Sequence, residues 1–118
     1  MGSVRTPVEG TTVPRFLFKA NYTLDGLQGL LREGGTGRKK AVETLATSLG
    51  GHLVSIDYAF GDTDAYVICD LPDEEAAAAA SLKITASGMA SVSTVRLLDP
   101  TQIDEAVDRQ LEYRAPGA

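Results

Sequence analysis

The sequence predicts an α+β fold in the order strand, helix, strand, strand, helix, strand, with one more helix at the C-terminal end. Three observations carry that expectation. Four stretches show the two-residue alternation of strands, the stretches between them show three- and four-residue apolar spacing, and Gly, Pro and Asp fall where one periodicity gives way to the other.

Arg15 to Tyr22 reads as the first strand, with Phe16, Phe18, Ala20 and Tyr22 on one face and Leu17, Lys19 and Asn21 on the other. Thr23 is placed to cap a short helix whose apolar stripe is Leu27, Leu30 and Leu31. Gly34-Gly35-Thr36-Gly37 interrupts it, because clustered glycines cost backbone entropy inside a helix. Helical spacing resumes at Arg38 through Ala41, Val42, Leu45, Ala46 and Leu49, and Gly50-Gly51 closes it.

Two strands follow, about His52 to Phe60 and Asp64 to Leu71, joined by Gly61-Asp62-Thr63 in a hairpin. The first of these reads in either register, so Asp57 and Tyr58 are assigned to no face. In the second, Ala65, Val67, Cys69 and Leu71 share a face, opposite Tyr66, Ile68 and Asp70. Asp73 caps an alanine-rich helix from Glu74 to about Thr85, with Glu74 and Glu75 in the turn where the helix dipole favours acids. Gly88 ends it, and Ser91 to Leu98 is the fourth strand. Asp99-Pro100-Thr101-Gln102 combines an N-cap, a proline at the first helical position and a capping-box glutamine. Ile103, Ala106, Val107 and Leu111 then line one side of the last helix.

The first six elements make the split βαβ, ferredoxin-like arrangement, a four-stranded antiparallel sheet with both main helices on one side. That side is expected to carry Phe16, Phe18, Val67, Cys69, Val95 and Leu97. The other is expected to carry Leu17, Lys19 and Asn21, Tyr66, Ile68 and Asp70, and Thr94, Arg96 and Leu98. Its apolar members form a patch that a second copy would cover, closing a barrel-like lumen in which Lys19, Asp70 and Arg96 need partners. The expected divisions are a flexible arm over 1–14, the domain over 15–111, and an irregular tail over 112–118.

A chain of 118 residues, 43% hydrophobic, is long enough to bury its own core. Its net charge of −5 argues against a nucleic-acid partner, and Arg38-Lys39-Lys40 reads as a solvated helix start. No apolar run reaches the ~20 residues of a membrane span. One cysteine, Cys69, cannot form an internal disulfide, and the expected compartment is the cytoplasm. Cys69 reads as a small core residue and the lone His52 as a surface strand start, so neither a metal centre nor a cofactor is expected.

Asn21-Tyr22-Thr23, Gly26, Gly29-Leu30, Arg38, Leu49-Gly50-Gly51, Ala59 to Asp64, Asp70 to Asp73 and Tyr113 to Gly117 together resemble the GYD-domain family. These are small bacterial proteins akin to the dimeric α/β-barrel group. The naming turn is occupied by Gly61-Asp62-Thr63-Asp64, which keeps the glycine and the last aspartate and has Thr63 where the family has tyrosine. The resemblance implies the fold and a homo-oligomer, and no particular chemistry. Among the residues themselves, Tyr22, Arg38, Tyr58 and Asp64 form the best candidate binding set: two hydroxyls, a guanidinium and a carboxylate suited to a small aromatic or polyketide-like ligand.

Two features have plainer readings. The Gly34 to Arg38 stretch could hold an anion, though a helix kink is the simpler reading, and Asp62 and Asp64 are ordinary turn residues. The expected function is small-molecule binding or an accessory role in a homo-oligomer. The alternatives are a cofactor-independent enzyme (monooxygenase, cyclase or isomerase-like) on an aromatic or reactive metabolite, and a structural oligomerisation module.

Overall fold

The computed structural model describes residues 13–118, so the expected arm over 1–14 lies outside the described residues except for its last two. The elements are β1 (Arg15–Tyr22), α1 (Leu24–Ser48), β2 (His52–Tyr58), β3 (Ala65–Asp70), α2 (Glu74–Ala86), β4 (Ala90–Leu97) and α3 (Pro100–Asp108). The strands form one antiparallel sheet in the order β2-β3-β1-β4, the ferredoxin-like arrangement. Residues 109–118 carry neither helix nor strand.

The caps act as the sequence predicts. Thr23 accepts from the Gly26 amide, Asp73 from the Ala76 amide, and Asp99 with Gln102 forms a reciprocal capping box. The glycine cluster interrupts α1 as expected, with two helical segments meeting at a kink. Only Gly34 leaves helical geometry (φ 75°), and α1 runs on from it as a kinked helix that reaches Ser48. Leu31, expected in the apolar stripe, is 85% exposed.

Register decides which residues face the helices, because partners directly opposite each other point the same way. Phe16 lies opposite Cys69 and Arg96, Phe18 opposite Val67 and Thr94, and Ala20 opposite Ala65 and Val92. The helix-covered face of β4 is therefore Ala90, Val92, Thr94 and Arg96, while Val95 and Leu97 lie on the open face beside Leu17 and Arg15. This reverses the expectation for that strand. Val92 and Val95 are three residues apart and cannot share a face, and a one-residue slip turns every side chain over. Arg96 is accommodated on the covered side because its guanidinium lies 5.6 Å from the centre of the Phe16 ring and its Nε is 3.5 Å from Glu74.

In β2 the ladder shifts register between Leu53 and Ser55. The bulge puts Leu53, Ile56 and Tyr58 on the covered face and Asp57 on the open one, a choice that alternation alone leaves undetermined. The core consists of Phe16, Phe18 and Cys69 from the sheet with Ala46, Leu71, Ala76, Ala77 and Ala80 around them. The third helix stands apart. It has no buried residue, and Ile103 and Val107 are exposed, as is Leu111 beyond its end.

Candidate functional site

Between the covered face of the sheet and the two long helices lies a cavity of about 380 Å³. Ala80 of α2 leaves room here, since it carries no atoms beyond Cβ to fill it. The inner end is formed by Phe18, Val67, Cys69 and Leu71 with Ala46, Leu49 and Ala80. Tyr22, Arg38, Lys83, Ser87 and Met89 line the opposite end, where β1 finishes and α2 terminates. The surface is apolar throughout its depth and polar at one end, a distribution common to small-molecule sites.

The structure places the four sequence-predicted residues unevenly. Tyr22 and Arg38 line the cavity; Tyr58 and Asp64 do not. Tyr58 stands behind the polar end, where its hydroxyl donates to the Gly35 carbonyl oxygen at 3.3 Å and its ring stacks on Phe60 at 6.1 Å between centroids. Asp64 acts on the backbone. Its carboxylate accepts from the Tyr22 amide at 2.9 Å, while its own amide donates to the Ala20 carbonyl and the Asn21 side chain. Together these bonds tie the β2–β3 turn to the end of β1. Thr63, which stands where the family turn has tyrosine, is buried in that junction.

Burial pushes the Tyr22 hydroxyl up to about 12, and the neighbouring Tyr58 adds to the shift while Arg38 opposes it. Burial also raises Tyr58. Tyr22 is therefore a neutral phenol at physiological pH, able to donate and accept a hydrogen bond. Arg38 is held by Glu33 at 3.2 Å, with both side chains about one-third exposed. At the floor, burial followed by the nearby Asp70 charge raises the Cys69 thiol to about 11, which keeps it protonated and a poor nucleophile. His52 is an exposed strand start beside Asp70, 3.3 Å from its carboxylate. Among the described residues no three His, Cys, Asp or Glu side chains converge as metal ligands.

Sequence reasoning missed Lys83, Ser87 and Met89. A signal was available for the first two, which are four residues apart at the end of α2 and so lie on one side of it. What the pattern lacked was the direction of that side relative to the sheet.

An open-faced ferredoxin-like sheet with an apolar chamber under its helices defines a class of small α+β domain built around an internal cavity. Within that class, residues 16–107 match the family model of the GYD domain, and the chain belongs to that family. No curated protein and no solved structure matches the chain significantly. Among the described residues no helix is long and apolar enough to cross a membrane.

Proposed function

We propose that the protein binds a small, largely apolar molecule in the cavity between sheet and helices, and that it does so as a homo-oligomer. The observation that carries the first part is the cavity itself: a 380 Å³ apolar chamber with Tyr22 and Arg38 at one end. Apolar cavities of such size take up apolar molecules because water gains few hydrogen bonds inside them. Tyr22 and Arg38 supply orientation, Tyr58 holds the kinked helix beside them, and Asp64 fixes the backbone from which Tyr22 projects. A phenol whose proton is held to about pH 12 is a hydrogen-bonding group rather than a base, which supports binding over proton abstraction.

The second part rests on the open face. Leu17, Ile68, Val95 and Leu97 lie there together with Tyr66, flanked by the Arg15–Asp70 pair at 2.7 Å. Two such faces packed together would bury the patch and screen that pair. Residence in the cytoplasm accords with a buried free thiol.

Fluorescence of a neutral apolar probe, N-phenyl-1-naphthylamine, tests the cavity. The wild-type protein should enhance its emission, and Ala80→Leu, which fills the inner end, should remove the effect. An equal enhancement by both proteins would sink the cavity reading. Light scattering tests the assembly, with a mass at least twice the 12.4 kDa of the chain expected and a 12.4 kDa particle overturning it.

A further inference from the structure

The long axis of the cavity is chemically graded. From the level of Tyr22 to that of Phe18 the first strand advances four residues, and along this path polar groups give way to Val67, Cys69 and Ala80. At 3.3 Å per residue the path is about 13 Å, matching an extended chain of about ten carbons.

The charges at the polar end are unequal. Two cations line it, Arg38 and Lys83. Two acids lie near them. Glu33 is held by Arg38, and the Asp64 carboxylate is occupied by the Tyr22 amide. Lys83 has no acidic partner among the described residues, and the Arg38–Glu33 pair is solvated enough for another carboxylate to replace Glu33 at little cost. An arginine that releases Glu33 can take a ligand carboxylate in its place. The tyrosine hydroxyl beside it is neutral and can donate to the same anion.

We propose that the ligand is an amphipathic monocarboxylate, its headgroup held by Lys83 and Arg38 and its hydrocarbon tail lying toward Cys69 and Ala80. This rests on the cavity-binding reading above and adds the charge, polarity and direction of the occupant. A neutral molecule would make no use of Lys83, whereas a dianion would exceed the one cation that has no acidic partner among the described residues. A short carboxylate would gain the cations and forgo the apolar wall, so tail length and headgroup charge must act together.

Titration calorimetry with decanoate, decanol and butyrate, each below its aggregation concentration, separates these elements. Decanoate should bind about tenfold more tightly than decanol, the effect of a charge-assisted contact, and butyrate should bind negligibly. Lys83→Gln should weaken decanoate several-fold more than it weakens decanol, because the side chain is on the surface and its loss does not disturb the core. Bound decanoate should also shift the methyl NMR signals of Val67 and Ala80 in the wild-type protein, which reports the position of the tail without any substitution.

Equal binding of decanoate and decanol would overturn the carboxylate while leaving the cavity reading in place. Binding of neither would overturn both. Binding of butyrate as tight as that of decanoate, or unmoved Val67 and Ala80 methyl signals, would show an anion held at the surface and end the proposal.

Discussion

The two faces of the sheet are made by alternate residues of the same four strands, yet they are chemically unlike. Under the helices lie Phe16, Phe18 and Cys69, buried against alanines, with Arg96 lying over a ring. On the open face, Leu17, Ile68 and Val95 occupy the middle and the Arg15–Asp70–His52 cluster one end. The first arrangement resembles a folded interior with room left in it, and the second a surface prepared for another surface. A protein that needed only a stable core would have no reason to leave a chamber on one side and an apolar patch on the other. The proposed function divides labour along this contrast, with ligand binding on the covered side and assembly on the open side.

The largest effect that would break this comparison comes where the covered side is clamped shut. A Cβ at Gly26 would sit 1.9 Å from the Met89 carbonyl oxygen, so Gly26→Ala forces the start of α1 away from the loop before β4. We expect a loss of about 4 kcal/mol or more, read by urea denaturation. Next comes a paired test of the two faces. Leu71, 1% exposed, should cost about 3 kcal/mol when replaced by Ala. Val95→Thr on the open face should cost the chain's own stability less than about 1 kcal/mol. If the two losses are equal, the open face is as structural as the covered one and the division fails.

A smaller effect is expected at the turn that joins β2 to β3. Asp64→Asn keeps the shape and weakens the charge-assisted bond to the Tyr22 amide, for about 1.5 kcal/mol. Its measured loss should appear in stability and should move probe binding less than Arg38→Gln does. Unchanged stability would mean that the carboxylate serves a ligand rather than the backbone.

The mildest test is alkaline titration. The folded chain holds the Tyr22 proton more tightly than the unfolded chain, with values near 12 and 10, so its contribution is fully present below pH 10 and is lost as pH climbs toward 12. Cys69 acts with the same sign from pH 9 to about 11. Tyr22→Phe should flatten the upper part of the stability profile, followed by the denaturation midpoint against pH.

How much of this was legible in the sequence depended on whether a local or a distant interaction made the decision. The caps at Thr23, Asp73 and Asp99 are local chemistry and were readable, as was the strand order once the helix and strand periods had been told apart. The family resemblance was legible from short motifs spread over the chain, and the family model matches 16–107. The facing of β4 was not, because Arg96 is held on the covered side by Phe16 and Glu74, residues 80 and 22 positions away. Tyr58 was likewise undetermined until the bulge between Leu53 and Ser55 set its phase. Of the four candidate binding residues, Tyr22 and Arg38 share the cavity wall, and Tyr58 and Asp64 lie outside it. Type could not show that the Asp64 carboxylate is already engaged by a backbone amide.

The alanines of α2 have a consequence for the behaviour of the chamber over time. A wall of leucines or methionines changes shape whenever its side chains rotate, but a wall that ends at Cβ has no rotamers to change. Its contour is that of the helix backbone, held at one end by Asp73 and against the sheet by Ala76, Ala77 and Ala80. Around Ala80 the chamber keeps its contour unless the helix moves, whereas at Lys83 and Ile84 the side chains of the same helix still rotate.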